Sequence, residues 1–183
     1  MMTDMNHVTT AQKDMRSGYA DGAPGIITSG AVWITAAMVT LNSSPKQGIW
    51  TLIIGGMLIF PLSMLLSKLL DVPGKHNDQN ALAKLAMEGT IWMIMCIPLA
   101  YGLSLQRSEW FFQGMLLIIG GRYLTFASVY GLRTYWILGA LLGLAAMGLF
   151  MTRSGPVPSA FAGGIIELVF GIFMFFQFKR SRD

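Results

Sequence analysis

Arg122 and Glu167 are the residues of this chain best placed to do chemistry, because each is a charge inside a long apolar stretch. On insertion scales a charge near mid-helix in lipid costs about 2.5–3.5 kcal/mol, so it persists where it is paired, wet or useful. A guanidinium there can bind a carboxylate or an anionic solute through paired N–H donors, and a carboxylate can exchange a proton. Arg122 lies about eight residues from one end of its stretch and Glu167 about eleven from the same end of its own. At about 1.5 Å of rise per residue their depths differ by roughly 5 Å, so a buried, partly bidentate Arg122–Glu167 bridge is expected. Glu88 competes for the same guanidinium, since it opens an apolar stretch and shares a face with Trp92 one turn later. If Arg122 takes Glu167, Glu88 becomes a snorkelling or capping carboxylate at a helix start, where the macrodipole favours negative charge. Three roles stay open for the group: a charge pair that fixes helix register, a site for a substrate, ion or proton, and catalysis.

The elements that must position these residues are six apolar stretches, at roughly 25–43, 49–70, 87–105, 110–131, 135–151 and 160–178. Each is long enough, at about 20 residues, to cross a bilayer's hydrocarbon core as a helix. Helix is the form expected, because a lipid-embedded backbone must satisfy its own hydrogen bonds and the ten-residue alternation of a membrane barrel is absent. Hydrophobic residues make up 54% of the 183 and charged residues 12%, which suits a polytopic membrane protein and leaves no room for a separate soluble domain. The expected fold is therefore all-α, one bundle of six transmembrane helices.

Positive charge alternates between the connections. Nine basic residues fall on one side: Lys13, Arg16, Lys68, Lys75, Lys84, Arg133, Lys179, Arg180 and Arg182. Three, Lys46, Arg107 and Arg153, fall on the other. Short cytoplasmic connections retain Lys and Arg, so both termini are expected in the cytoplasm. This topology also accounts for the net charge of +4; with no dense basic stripe or interleaved aromatics, nucleic acid is not expected as a partner. The bilayer is the expected partner, with a homo-oligomer, a small anionic solute or a proton as further possibilities.

Residues 1–24 read as a cytoplasmic tail, either disordered or a short interfacial helix built on Met5, Val8, Met15 and Tyr19, with Asp21-Gly22-Ala23-Pro24-Gly25 separating it from the first span. No cleavable signal is visible, so the first span is expected to stay as an anchor. Asp71–Asp78 is the one substantial loop, and its His76 reads as a solvated residue. Residues 179–183 form a basic tail on the same side.

Small residues let helices approach closely in lipid, where the hydrophobic effect gives little drive for association. The inward faces are therefore expected to carry Gly114, Gly121, Arg122, Thr125 and Ser128 in the fourth span, and Ala160, Gly163, Gly164, Glu167 and Gly171 in the sixth. Gly56, Ser63 and Ser67 in span two, and Gly139 and Gly143 in span five, complete the set, leaving Leu, Ile, Phe and Met toward lipid. The odd spans open near a tryptophan (Trp33, Trp92, Trp136) and the even ones on glycine with aliphatics, which suggests three helical hairpins of one orientation. The preference of Trp for membrane interfaces offers a plainer account of the same pattern.

Catalytic inventories are unmet. Thr28-Ser29-Gly30 has no histidine within any span to act as base, no Asp lies inside a span, and no strand precedes a glycine-rich phosphate loop. Cys96 is the sole cysteine, so neither a disulfide within the chain nor a cysteine metal cluster is expected, and two histidines make a His-rich site improbable. No cofactor is expected. Asn42-Ser43-Ser44 matches a glycosylation sequon by chance, hugging the membrane surface. Pro61 and Pro98 either free a backbone carbonyl for a ligand or simply kink their helices.

Several segments carry a family resemblance: Gly22-Ala23-Pro24-Gly25, Ser29-Gly30 with Trp33, Gly55–Ser63, Gly120-Gly121-Arg122-Tyr123-Leu124-Thr125-Phe126, and Tyr130-Gly131-Leu132-Arg133 with Tyr135-Trp136. In these the chain resembles a family of small bacterial membrane proteins known only as a domain of unknown function. The resemblance implies six spans and a bacterial cytoplasmic-membrane location, and no activity. The three-hairpin layout is also similar in architecture to acid-stress membrane proteins of the HdeD type, through no specific motif. Two functional expectations follow: small-solute, ion or proton transport using a buried Arg/Glu pair, or a structural or accessory role, related to stress or the envelope, in which the charges only fix packing.

Overall fold

The computed structural model describes residues 2–181, with side chains from His7 onward, and among them every regular element is helical. Met5 as a side chain and Arg182 lie outside that description. Helix α1 spans Met2–Tyr19 and is followed by a 3-10 turn at Ala20–Gly22. The six long helices are α2 (Ala23–Asn42), α3 (Pro45–Leu69), α4 (Ala81–Ser104), α5 (Ser108–Tyr130), α6 (Arg133–Met151) and α7 (Pro156–Arg180). All six are long and apolar enough to cross a membrane.

All six long helices begin two to six residues before the apolar stretches, because capping chemistry rather than hydropathy sets their starts, while five of the six end within a residue of them. Pro45 and Pro156 stand in the first turns of α3 and α7, where a missing N–H costs nothing. Ser44 accepts from the Gln47 N–H, and Asn80 accepts from Leu82 N–H at 3.0 Å. Gly131 ends α5 in the left-handed conformation.

The N-terminal segment is an ordered helix bound to the bundle. Its Met15 is buried, Gln12 Nε2 donates to the Ser128 carbonyl at 2.8 Å, and Gly74 N–H donates to the Gly18 carbonyl at 2.8 Å. Asp14 accepts from Asn77 N–H and from Asn80 Nδ2. The joint to α2 passes through left-handed Ala20, Asp21 and Gly22, and is pinned by Arg16 to Asp21 at 3.0 Å and by Tyr135 Oη donating to the Asp21 carbonyl at 2.8 Å. Tyr135 Oη would collide with any Cβ at position 22, so glycine is required there for space as well as conformation. These contacts and the small cluster of Ala20, Val72 and Phe178 bring α1, the 70–80 loop and the end of α7 to one end of the bundle.

α2 is the hub, packed most extensively on α7 and α3, while α5 packs on α6 and α4. The first two predicted hairpins thus pack as pairs; in the third, α6 rests mainly on α5 and α7 mainly on α2. The three tryptophans of the apparent repeat also differ, since Trp33 is fully buried against Phe112 whereas Trp92 and Trp136 are exposed on the apolar surface. α3 and α4 make no extended contact with each other. They meet through Trp50 and Tyr101, ring centroids 5.7 Å apart, at the end away from α1.

Candidate functional site

Arg122 and Glu167 do not form an ion pair; the expected bridge is replaced by two separate arrangements. Glu167 is 0% exposed, and its Oε1 accepts a hydrogen bond from Tyr123 Oη at 2.9 Å. Arg122 turns the other way. Its Nη2 donates to Thr90 Oγ1 on α4 at 3.0 Å, its Cζ lies 4.6 Å from the Phe126 ring centre, and its buried Nε has no partner. Helix geometry explains the divergence. Neighbouring residues 122 and 123 project about 100° apart on α5, so when Tyr123 points at α7 the guanidinium is directed toward α4.

Glu88 pairs with Arg122 no more than Glu167 does. It is exposed, and since α4 begins at Ala81 with Asn80 as its cap, Glu88 lies two turns inside the helix rather than at its start. Trp92, one turn on, faces outward with it.

The supporting residues divide in the same way. Thr125 Oγ1 donates to the Arg122 carbonyl at 2.7 Å and faces Gly89 of α4. Gly114 approaches Ala100 and Leu103, also of α4. Gly121 has open space where a Cβ would stand and Ser128 is exposed. The small-residue stripe of α5 is therefore largely a seat for the peripheral helix α4. Its true inward face is Phe112, Leu116, Ile119, Tyr123 and Tyr130, all buried.

The stripe of α7 does turn inward. A Cβ at Gly163 would lie 2.8 Å from the Trp33 ring, at Gly164 2.6 Å from Ile34 Cδ1, and at Gly171 2.9 Å from Ile27 N. Gly30 of α2 reciprocates, its Cβ position lying 2.8 Å from Leu168 N. Gly120 and Gly139 do the same for the α5–α6 crossing, whereas Gly56 and Gly143 face open space.

Between α3 and α4, floored by α2 and α5, lies a cavity of about 500 Å³, within the usual range for small-ligand sites. Arg122, Tyr123, Thr90 and Ser29 supply polar groups deep within it. Its walls are Ile59, Phe60 and Met64 from α3 and Ala86, Met87 and Met93 from α4. At the α1 end it is closed by Met15, Tyr19 and His76, with Tyr19 Oη and His76 Nδ1 2.7 Å apart. His76 is thus half-buried beneath α1 rather than solvated, because the ordered helix covers it. Neither Pro61 nor Pro98 lines this space. Among the described residues no cluster of His, Cys, Asp and Glu could hold a metal ion.

Thr90, Tyr123 and Phe126 are not among the site residues expected from the sequence, although Tyr123 and Phe126 fall in one of the segments that carry the family resemblance. The available signal was the adjacency of Tyr123 to Arg122, which gives the two opposite partners on one helix.

A family model described as a family of unknown function, DUF7010, matches residues 8–177. The chain belongs to that family, a class defined by its sequence and here seen as a six-helix apolar bundle. No curated protein matches it, and no solved structure does.

Proposed function

We propose that this protein binds or transports a small anionic solute within a membrane, with Arg122 as its recognition point. One observation carries the reading: the guanidinium lines a cavity and has no carboxylate beside it. A cation held in apolar surroundings by a hydroxyl and a ring face keeps most of its donors for a guest. Glu167 does not line the cavity, which favours an anion over a proton as the guest.

On this reading the chain sits in a bacterial cytoplasmic membrane with both ends in the cytoplasm. The support is the excess of Lys and Arg at the end of the bundle where α1, the 70–80 loop and the end of α7 meet. The accessory reading has its own support in the fully buried Glu167–Tyr123 contact, which ties α5 to α7 and needs no guest.

Calorimetric titration of the purified protein with a panel of anions that runs from small inorganic ions to carboxylates of increasing chain length, paired with flux into liposomes, tests the proposal. Binding that falls at least about tenfold in Arg122→Gln and is kept by Arg122→Lys supports it. No binding and no flux by the wild type, together with a destabilised Arg122→Gln, supports the accessory role.

A further inference from the structure

Access to the cavity is one-sided. The end toward α1 is closed by Met15, Tyr19 and His76, held by the Tyr19–His76 hydrogen bond and by Gly74 N–H on the Gly18 carbonyl. The flank is open instead. Phe60 and Met87 line the cavity yet are 69% and 64% exposed, so they form a mouth between α3 and α4. Both stand within apolar helices of membrane-spanning length, beside exposed Met57 and Ile91, so the mouth opens onto the surface that lipid covers. A freely soluble anion would have to cross hydrocarbon to reach that mouth, whereas an amphiphile already lies there.

The interior matches such a guest at both ends. Arg122 is eight residues from the end of α5, about 12 Å at 1.5 Å per residue, and Thr90 stands at a similar depth on α4. On α3 the lining runs from Gly56 to Ser67, about 16 Å of helix that straddles the depth of Arg122, and the apolar part beyond the cation, at Ile59 and Gly56, is about 8 Å long and opens at the mouth. Gly56 contributes open space: nothing lies within 4 Å of where its Cβ would be.

We infer that the cleft takes a single-chain anionic amphiphile, a long-chain carboxylate, which enters sideways between α3 and α4, sets its head on Arg122 and leaves its chain along the Gly56 groove. This rests on Arg122 being the recognition point and adds the class of guest and its route.

The test uses the full chain in phosphatidylcholine liposomes with a palmitate carrying a photoreactive diazirine on its chain. Cross-links are expected on α3 and α4 around Ile59, Phe60 and Met93, competed by palmitate and not by hexadecanol. Arg122→Gln should lower labelling about tenfold while Arg122→Lys retains it. Gly56→Leu, which fills the groove without touching Arg122, should lower labelling about tenfold in a protein of unchanged helicity and monodispersity. Competition by acetate or benzoate but not by palmitate would overturn the amphiphile and leave an anion site. Equal competition by hexadecanol and palmitate, or labelling indifferent to Arg122, would overturn both. Full labelling in Gly56→Leu would overturn the groove.

Discussion

The α2–α7 seam and the α3–α4 cleft are built from the same residues, glycine among aliphatics, and behave oppositely. In the seam Gly30, Gly163, Gly164 and Gly171 let two backbones close until no Cβ fits. In the cleft Gly56 faces emptiness, and the helices touch through Trp50 and Tyr101 at one end. Glycine therefore marks close approach only where a partner helix presents backbone or a ring. Where the partner is absent it marks room for something else. One half of the molecule is locked, and the other is left apart around a cation.

The comparison breaks most forcefully at Gly30. A valine there meets the backbone of Leu168, which cannot swing away, so Gly30→Val should cost about 3 kcal/mol in unfolding from mixed micelles. Tyr123→Phe comes next. It strips the buried Glu167 carboxylate of its hydrogen-bond donor, at an expected cost of about 1–3 kcal/mol in the same assay. Gly56→Ala should reverse the sign of the seam substitutions, stabilising by roughly 0.5–1 kcal/mol through helix propensity, because its methyl meets nothing. The smallest effect is expected for Asp14→Ala, which removes the acceptor for Asn77 N–H and Asn80 Nδ2. It should leave global unfolding unchanged and speed hydrogen exchange in α1 and the 70–80 loop alone.

Hydropathy made the six spans and the all-helical class legible, because lipid leaves the backbone no other option. Charge made Arg122 and Glu167 stand out for the same reason. What the sequence could not convey was azimuth. The small-residue stripe of α5 reads as an inward face, yet it seats α4, and only the partner's position reveals that Tyr123 rather than Arg122 looks toward Glu167. Nor does the hydropathy of α3, higher than that of the first span, disclose that little of α3 is buried beyond its face on α2 while α2 itself lies at the hub. Helix α1 was hidden differently. Its polar pattern leaves a disordered tail and a short interfacial helix both open, and its order comes from Gln12, Asp14, Met15 and Tyr19 finding partners far along the chain.

The central claim is that the two intramembrane charges hold separate posts, Arg122 for a guest and Glu167 for packing. Side-by-side titration of Arg122→Gln and Glu167→Gln with an anionic guest tests it most directly. The predicted result is a loss of at least about tenfold in affinity for the first and a change within about threefold for the second. Equal losses in the two variants would mean that guanidinium and carboxylate act as one unit, and would contradict the account.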